Sequence, residues 1–230
     1  MREIVLDTET TGFEPSEGHR LVEIGGVELL NHMPTGRHYH QYVNPERDMP
    51  EEAFNVHGLS EDFLRPQPKF AQVAKAFMDF VGDATLVIHN AAFDMKFLNF
   101  ELERAGHPRL QVKVVDTLAI ARRRFPGSPA SLDALCRRFG IDNSARTLHG
   151  ALLDSEILAE VYLELLGGRQ PDFGLATGPA TRSTGPAENA WRARPRPVPL
   201  PRRLTEAEAA AHQTFVASMG ESAIWRKYDS

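Results

Sequence analysis

The sequence predicts an α/β fold, a mixed β-sheet flanked by helices, followed by a flexible linker and a small helical C-terminal tail. Three observations carry this expectation. Apolar runs with strand spacing fill residues 1–43, helical and strand patterns alternate from 70 to 166, and composition changes abruptly near residue 168.

The elements follow in order. Glu3-Ile4-Val5-Leu6 is a short apolar run ending at Asp7, as expected of a central strand whose last residue projects into a site. Leu21–Leu30 and Tyr39–Val43 have strand character, with Asn31–Arg37 as the turn between them, so the chain opens as an antiparallel meander. Phe70, Val73, Ala74, Phe77 and Val81 recur at helical spacing and predict a helix over 70–81. Thr85–Ile88 reads as a buried strand. Ala92–Ala105 is helical, stopped by Gly106 and Pro108. Val112–Val115 is a strand ending at Asp116, which is placed to cap a helix over Thr117–Arg124. Ser131 is the expected N-cap of a further helix and Gly140 its stop. Gly150–Leu166 is a last amphipathic helix, and Cys136 falls on an apolar helix face as a core residue.

Composition narrows the function classes. The chain has 230 residues, 42% hydrophobic and 25% charged, the balance of an ordinary soluble protein. No apolar run approaches the roughly 20 residues that span a bilayer, so no membrane association is expected. Acids occupy the N-terminal MREIVLDTET where a secretory signal would be apolar, which points to a cytoplasmic protein. A single cysteine excludes an intramolecular disulfide framework and any multi-cysteine metal site.

The net charge of −5 is unevenly spread: −8 over residues 1–168, zero over 169–190 and +3 over 191–230. Residues 1–168 are long enough for a core of their own. Residues 169–190 are rich in Gly, Pro, Ser, Thr and Ala and bury too little to offset chain entropy, the signature of a linker. Residues 191–230 are too few to expect independent stability and are expected to order on a partner.

Three segments place carboxylates where chemistry can use them. In the extended run Asp7-Thr8-Glu9 the two acids share a face, and paired carboxylates repel unless a cation lies between them. His89-Asn90-Ala91-Ala92-Phe93-Asp94 lies at a strand-to-helix junction, where the plain alternative for Asp94 is a helix-dipole role. In His149-Gly150-Ala151-Leu152-Leu153-Asp154 the outer two do not stack on one helix face. They share a pocket only if His149 lies on the loop before the helix. Oxygen-rich carboxylate sets suit hard divalent cations such as Mg²⁺ or Mn²⁺, and two such ions can serve an in-line phosphoryl displacement. A histidine can take a proton from the attacking water near neutral pH. Asp7, Glu9, Asp94, His149 and Asp154 together supply each of these roles.

The motifs DTETTGF (7–13), HNAAFDMKFL (89–98) and HGALLD (149–154) resemble, in identity, order and spacing, the three motifs of the DEDDh 3′–5′ exonucleases. Within that family the chain is most similar to the proofreading subunits of bacterial DNA polymerase III. The segments VNPERDMPEEAFNVHGLSEDFL (43–64), VVDTLAIARRRFPG (114–127) and SLDALCRRFGID (131–142) add to the resemblance, which covers essentially all of 1–167. It implies a ribonuclease-H-like fold and two divalent cations, Mg²⁺ or Mn²⁺. By the same resemblance Asp7 bridges the ions, Glu9 and Asp154 complete one site, Asp94 supports the other largely through water, and His149 is the general base. Asp7, Glu9 and Asp154 thereby also face the substrate. Glu52 and His57 are implied as contacts to the terminal nucleotide of a DNA primer 3′ end; Glu51 beside Glu52, and a turn at His57-Gly58, are the alternatives.

Beyond the domain, Gln170-Pro171-Asp172-Phe173-Gly174-Leu175 resembles the peptide by which replication proteins bind the sliding clamp, with Gln170, Phe173 and Leu175 as contacts. The alternative is a linker with two stray apolar residues. The tail 204–228 resembles the segment that binds the polymerase catalytic (alpha) subunit, with Phe215, Ile224 and Trp225 as anchors. Thr205 and Glu208 form a capping-box pattern within it, and the alternative is a helix folding back on the domain. Two rivals to the proofreading reading stay open: a free-standing exonuclease acting on RNA or short oligonucleotides, and an inactive scaffold linking clamp and polymerase.

Overall fold

The computed structural model describes residues 1–168 and 204–220. Five strands form one sheet in the order β3-β2-β1-β4-β5: β1 (Arg2–Thr10), β2 (Leu21–Leu30), β3 (Met33–Tyr42), β4 (Thr85–Ile88) and β5 (Val114–Asp116). The β1–β2 and β2–β3 pairs are antiparallel, whereas β1–β4 and β4–β5 are parallel. The meander and the mixed sheet are as expected from the sequence.

Alternation along β1 sends its side chains to two cores. Ile4 and Leu6 face a core shared with α3 (Phe70–Val81) and α4 (Ala91–Arg104), where Phe77, Phe97 and Leu98 are fully buried. Val5 faces the other way, onto α5 (Thr117–Arg124), α6 (Leu132–Phe139) and α7 (Ala151–Leu166), with Leu135, Leu158 and Val161 around it. Each large aliphatic side chain removed from water contributes about 1.5–3 kcal/mol. The sheet is therefore clamped on both faces, and its central strand is its most fixed part.

Two helices lie between β3 and α3: α1 (Glu51–His57) and the single turn α2 (Glu61–Leu64). No helix signal marks α1 in the sequence. It has seven residues, Pro50 caps it without a side-chain hydrogen bond, and only His57 is buried. Gly58, with φ of 72°, ends it, so His57-Gly58 is both a helix end and a turn.

The β2–β3 connection also differs from expectation. The turn is only Asn31-His32, both at positive φ (50° and 65°), and the strand resumes at Met33 rather than Tyr39. Pro34 and Gly36 read as breakers, but β3 is an edge strand and largely exposed. A missing N–H and a missing side chain are tolerated there.

The caps agree with the sequence. Asp116 accepts from the N–H groups of Leu118 and Ala119, and Ser131 from Ala134 N–H, while Gly140 closes α6. Cys136 is buried. Residues 204–220 contain one helix, α8 (Glu206–Ser218), begun by the expected Thr205–Glu208 capping box. Phe215 on it is exposed. Gln170, Phe173, Leu175, Ile224 and Trp225 lie outside the described residues. No helix among the described residues is long and apolar enough to cross a membrane.

Candidate active site

The carboxylates meet at the C-terminal end of β1, next to the end of its parallel neighbour β4. This is where open α/β sheets place their sites. Asp7 and Glu9 project to the α7 side of the sheet, and Thr8 between them projects to the α4 side. There its hydroxyl donates to Asp94 Oδ1 at 2.7 Å. Asp94 is buried in the first turn of α4, and its carboxylate faces the Thr8 hydroxyl together with the backbone N–H groups of Thr8 and of Asp94 itself. Asp154 is buried in the first turn of α7. His149 lies on the loop just ahead of that helix, the placement that lets it reach the same pocket.

Glu9, His149 and Asp154 each offer a ligand atom, all within 4.8 Å of one another. Asp7 belongs to the same electrostatic cluster. Burial, and then the charges of Asp94, Glu9 and Asp154, hold its carboxyl well above the usual range. Burial, followed by Asp154, Glu23 and Asp94, raises Glu9 to about 8. Burial raises Asp94 to about 7 despite the bond from Thr8. So dense a carboxylate set is at odds with itself unless positive charge is supplied, and its oxygen donors fit hard divalent cations.

One positive charge comes from the chain. The Arg146 guanidinium, its side chain 8% exposed, donates to both oxygens of Asp154, to Asp133 Oδ1 at 2.9 Å and to His149 Nδ1 at 2.8 Å. The sequence reading missed Arg146. A cation in the loop segment Ser144-Ala145-Arg146-Thr147, three residues before the candidate base, was the available signal.

Glu23 was also missed. It sits inside β2 opposite Glu9 and is buried. Its Oε2 accepts from the first N–H of α7, at Ala151 (3.1 Å), and its Oε1 lies 2.6 Å from His40 Nε2. Ser155 donates to Gly25 O at 3.0 Å. The backbones of β2 and α7 nearly touch here: a Cβ on Gly25 would lie 2.2 Å from the carbonyl carbon of Ala151. Glu23, Gly25 and Ser155 thus seat the helix that carries Asp154.

The two expected nucleotide contacts are placed differently. His57 is buried at the end of α1, within electrostatic reach of His149, and His149 N–H donates to Val56 O at 3.1 Å. Leu59 N–H donates to His57 Nδ1, so the neutral ring carries its proton on Nε2. That atom points toward the Thr10 carbonyl without reaching hydrogen-bond geometry. Burial lowers the His57 pKa to about 4. Glu52 is exposed in the first turn of α1, with no hydrogen bond to the carboxylates among the described residues. Asp116 caps α5 and accepts from Asn90 N–H, and its charge reaches the cluster at Asp94. A groove of about 1050 Å³ between the β2–β3 hairpin and α7 is lined by none of the candidate residues.

Comparison with known proteins follows the same lines. Residues 4–162 match the family model described as Exonuclease. The nuclease domain of 3′hExo, described as a DEDDh family member bound to rAMP, superposes with a TM-score of 0.62 at 22% identity, covering 72% of this chain and 91% of that one. The fold is thus that of the DEDDh exonucleases. The chain is 46% identical to the DNA polymerase III subunit epsilon of Escherichia coli (strain K12), over 98% of its own length and 97% of the relative's. It is 53% identical to the same subunit of Rickettsia prowazekii (strain Madrid E), over 78% of its own length and 80% of the relative's. The chain belongs to the exonuclease family and, within it, to the DNA polymerase III epsilon subunits.

Proposed function

We propose that this protein is the 3′–5′ proofreading exonuclease of a bacterial replicative polymerase, removing mispaired 3′-terminal nucleotides from a DNA primer as nucleoside 5′-monophosphates. The observation that carries the reading is the convergence of Asp7, Glu9, Asp94 and Asp154 on one strand end, beside His149, in a chain alike to epsilon subunits along nearly its whole length.

Asp7, Glu9, Asp94 and Asp154 would hold the divalent cations, their oxygens being the donors such ions take. Two such ions, Mg²⁺ or Mn²⁺, supply charge stabilisation for the attacking and leaving oxygens. His149 takes the proton of the attacking water. Burial and then the Arg146 charge lower its pKa and favour the neutral ring, the form from which a base must start. His57, through Nε2–H, and Glu52 contact the terminal nucleotide. A mismatched end frays at less cost than a paired one, so selectivity arises before chemistry, when a single strand enters the site.

Residues 1–168 form the exonuclease domain and 169–190 a linker whose 170–175 peptide binds the sliding clamp through Gln170, Phe173 and Leu175. Residues 191–230 bind the polymerase catalytic subunit through Phe215, Ile224 and Trp225. The protein works in the cytoplasm, held near the primer by these partners, so tethering replaces a strong grip on DNA by an acidic domain.

With Mg²⁺, the full chain is expected to shorten a 5′-labelled DNA primer from its 3′ end, faster when the end is mispaired, and Asp7→Ala to reduce the rate by about 10³-fold or more. Undiminished cleavage by that variant would refute the site, and strong preference for an RNA primer would favour the free-standing alternative. Deleting 191–230 is expected to abolish co-purification with the polymerase subunit and leave primer turnover intact; retained binding would refute the tail assignment.

A further inference from the structure

Arg146 sets a cation, its side chain 8% exposed, inside the carboxylate cluster, and no catalytic step above uses it. It lies on the loop between α6 and α7. Its Nε and one terminal nitrogen form a fork on Asp154, at 2.5 Å from Oδ1 and 2.7 Å from Oδ2. The same terminal nitrogen lies 2.8 Å from His149 Nδ1 and 3.4 Å from Nε2, and the other donates to Asp133 Oδ1. A guanidinium has five N–H donors, no acceptor, and no neutral form in a protein.

We infer that Arg146 is a built-in counter-ion that withholds Asp154 and His149 from the reaction, and that it must let go of both for a divalent cation to be bound. The inference rests on the proposed use of Asp154 as a cation ligand.

The argument has three parts. First, the fork occupies a lone pair on each Asp154 oxygen, so the guanidinium and a divalent cation compete for the charge and the open face of one carboxylate. They also carry like charge. Second, Arg146 only donates, so His149 Nδ1 is the acceptor of that contact. A neutral imidazole then carries its proton on Nε2 and has no ring nitrogen free to take another. While Arg146 is docked, His149 is not a base. Third, Arg146 has somewhere to go. Asp133 on α6 holds it from the solvent side, with its own side chain 44% exposed, and also accepts from Asn143 Nδ2 at 2.9 Å. The guanidinium can therefore leave Asp154 while keeping one ion pair.

Docked, Arg146 relieves the repulsion among Asp7, Glu9 and Asp154. Released, it frees a ligand and a base in one movement, so the base is armed only when the cations are in place. The contrary role is an outer partner that stays on Asp154 and orients it as a ligand, in which case removing Arg146 weakens cation binding.

The test uses the full-length protein and Mn²⁺ or Mg²⁺ alone. Mn²⁺ affinity is measured by electron paramagnetic resonance titration, and the His149 ring is followed by ¹⁵N NMR through a Mg²⁺ titration. Arg146→Gln is expected to bind Mn²⁺ about tenfold more tightly than the wild type and to melt at a lower temperature in chelator. The wild-type His149 ring is expected to begin as the Nε2–H tautomer and to lose it as Mg²⁺ is added. Unchanged or weaker Mn²⁺ binding by Arg146→Gln, or a wild-type tautomer indifferent to Mg²⁺, would overturn the inference. Arg146→Lys keeps the charge but loses the fork; should Arg146→Gln fail to fold, its affinity decides, expected between wild type and tenfold tighter. Absence of any Mn²⁺ binding by the wild type would instead remove the cation reading on which the inference stands.

Discussion

Strand β1 and the loop 141–149 each bring candidate catalytic residues to the same pocket, and they are held by different forces. β1 is hydrogen-bonded on both edges, to β2 and β4, and packed on both faces, with Ile4, Val5 and Leu6 no more than 1% exposed. Asp7 and Glu9 are therefore positioned by the fold, whatever their charge. The loop is mostly exposed. It is held by the His149 N–H bond to Val56 O, by Asn143 on Asp133, and by the Arg146 ion pairs. Its position depends on charge. The difference separates a rigid carboxylate cradle, which tolerates repulsion, from a candidate base whose geometry follows the electrostatics of the cradle.

The sharpest way to break this comparison is to remove the key residue from each region in turn. His149→Gln is expected to lower turnover by about 10²–10⁴-fold with little change in melting temperature, because the loop contributes little to the core. Asp7→Asn is expected to abolish turnover yet raise the melting temperature measured in chelator at pH 8. The sign follows from linkage. A carboxyl held above its unfolded value binds more protons folded than unfolded, so its ionised form destabilises the fold as pH rises, and the neutral amide escapes that loss. Primer assays and thermal melts on both variants give the comparison; equal stability losses would show the two regions to be one unit.

A smaller effect is expected where the cradle meets α7. Gly25→Ala places a Cβ 2.2 Å from both the Ala151 carbonyl carbon and Leu152 N, backbone atoms that cannot step aside. We expect a loss of about 2–3 kcal/mol in urea unfolding, with lowered turnover as α7 carries Asp154 away from Glu9. Gly150→Ala is the control. It has φ of −150° and no heavy atom within 4 Å of the added Cβ, and should change stability by no more than about 0.5 kcal/mol. A Gly25→Ala protein as stable as the control would mean that α7 is not seated by this contact.

The parts legible in the sequence were those whose signal is local. Asp94 and Asp154 each stand in the first turn of a helix, and Asp7 stands where the apolar run of β1 gives way to polar residues, although the strand runs on to Thr10 and does not end at Asp7 as expected. The caps at Asp116, Ser131 and Thr205 were readable for the same reason. Helix α1 was not, since seven residues with a proline cap and one buried side chain leave no period to detect. Nor were Glu23 and Arg146. Glu23 reads as one more polar residue in a strand, and its task exists only because α7 begins above it, 128 positions along the chain. Arg146 reads as a solvated loop cation until Asp133 and Asp154, on two different helices, close around it.

The smallest effect concerns the two histidines, one on each side of the divide. His149 is half exposed on the charge-held loop, while His57 is 5% exposed at the end of α1 and burial lowers its pKa to about 4. The unfolded chain titrates this histidine near 6.5. Between about pH 4 and 6.5 the unfolded state thus binds more protons than the folded one, and stability rises with pH across that window. Acidifying from 7 to 4 is expected to cost the wild type about 3 kcal/mol from His57 alone. His57→Gln, which keeps an N–H donor without a titrating ring, removes that part of the slope. The check is urea unfolding of both proteins at half-unit pH steps. The stability difference between them should grow as pH rises from 4 to 6.5 and level off above it. A difference independent of pH would place His57 in water, with the exposed loop rather than with the packed frame of the site.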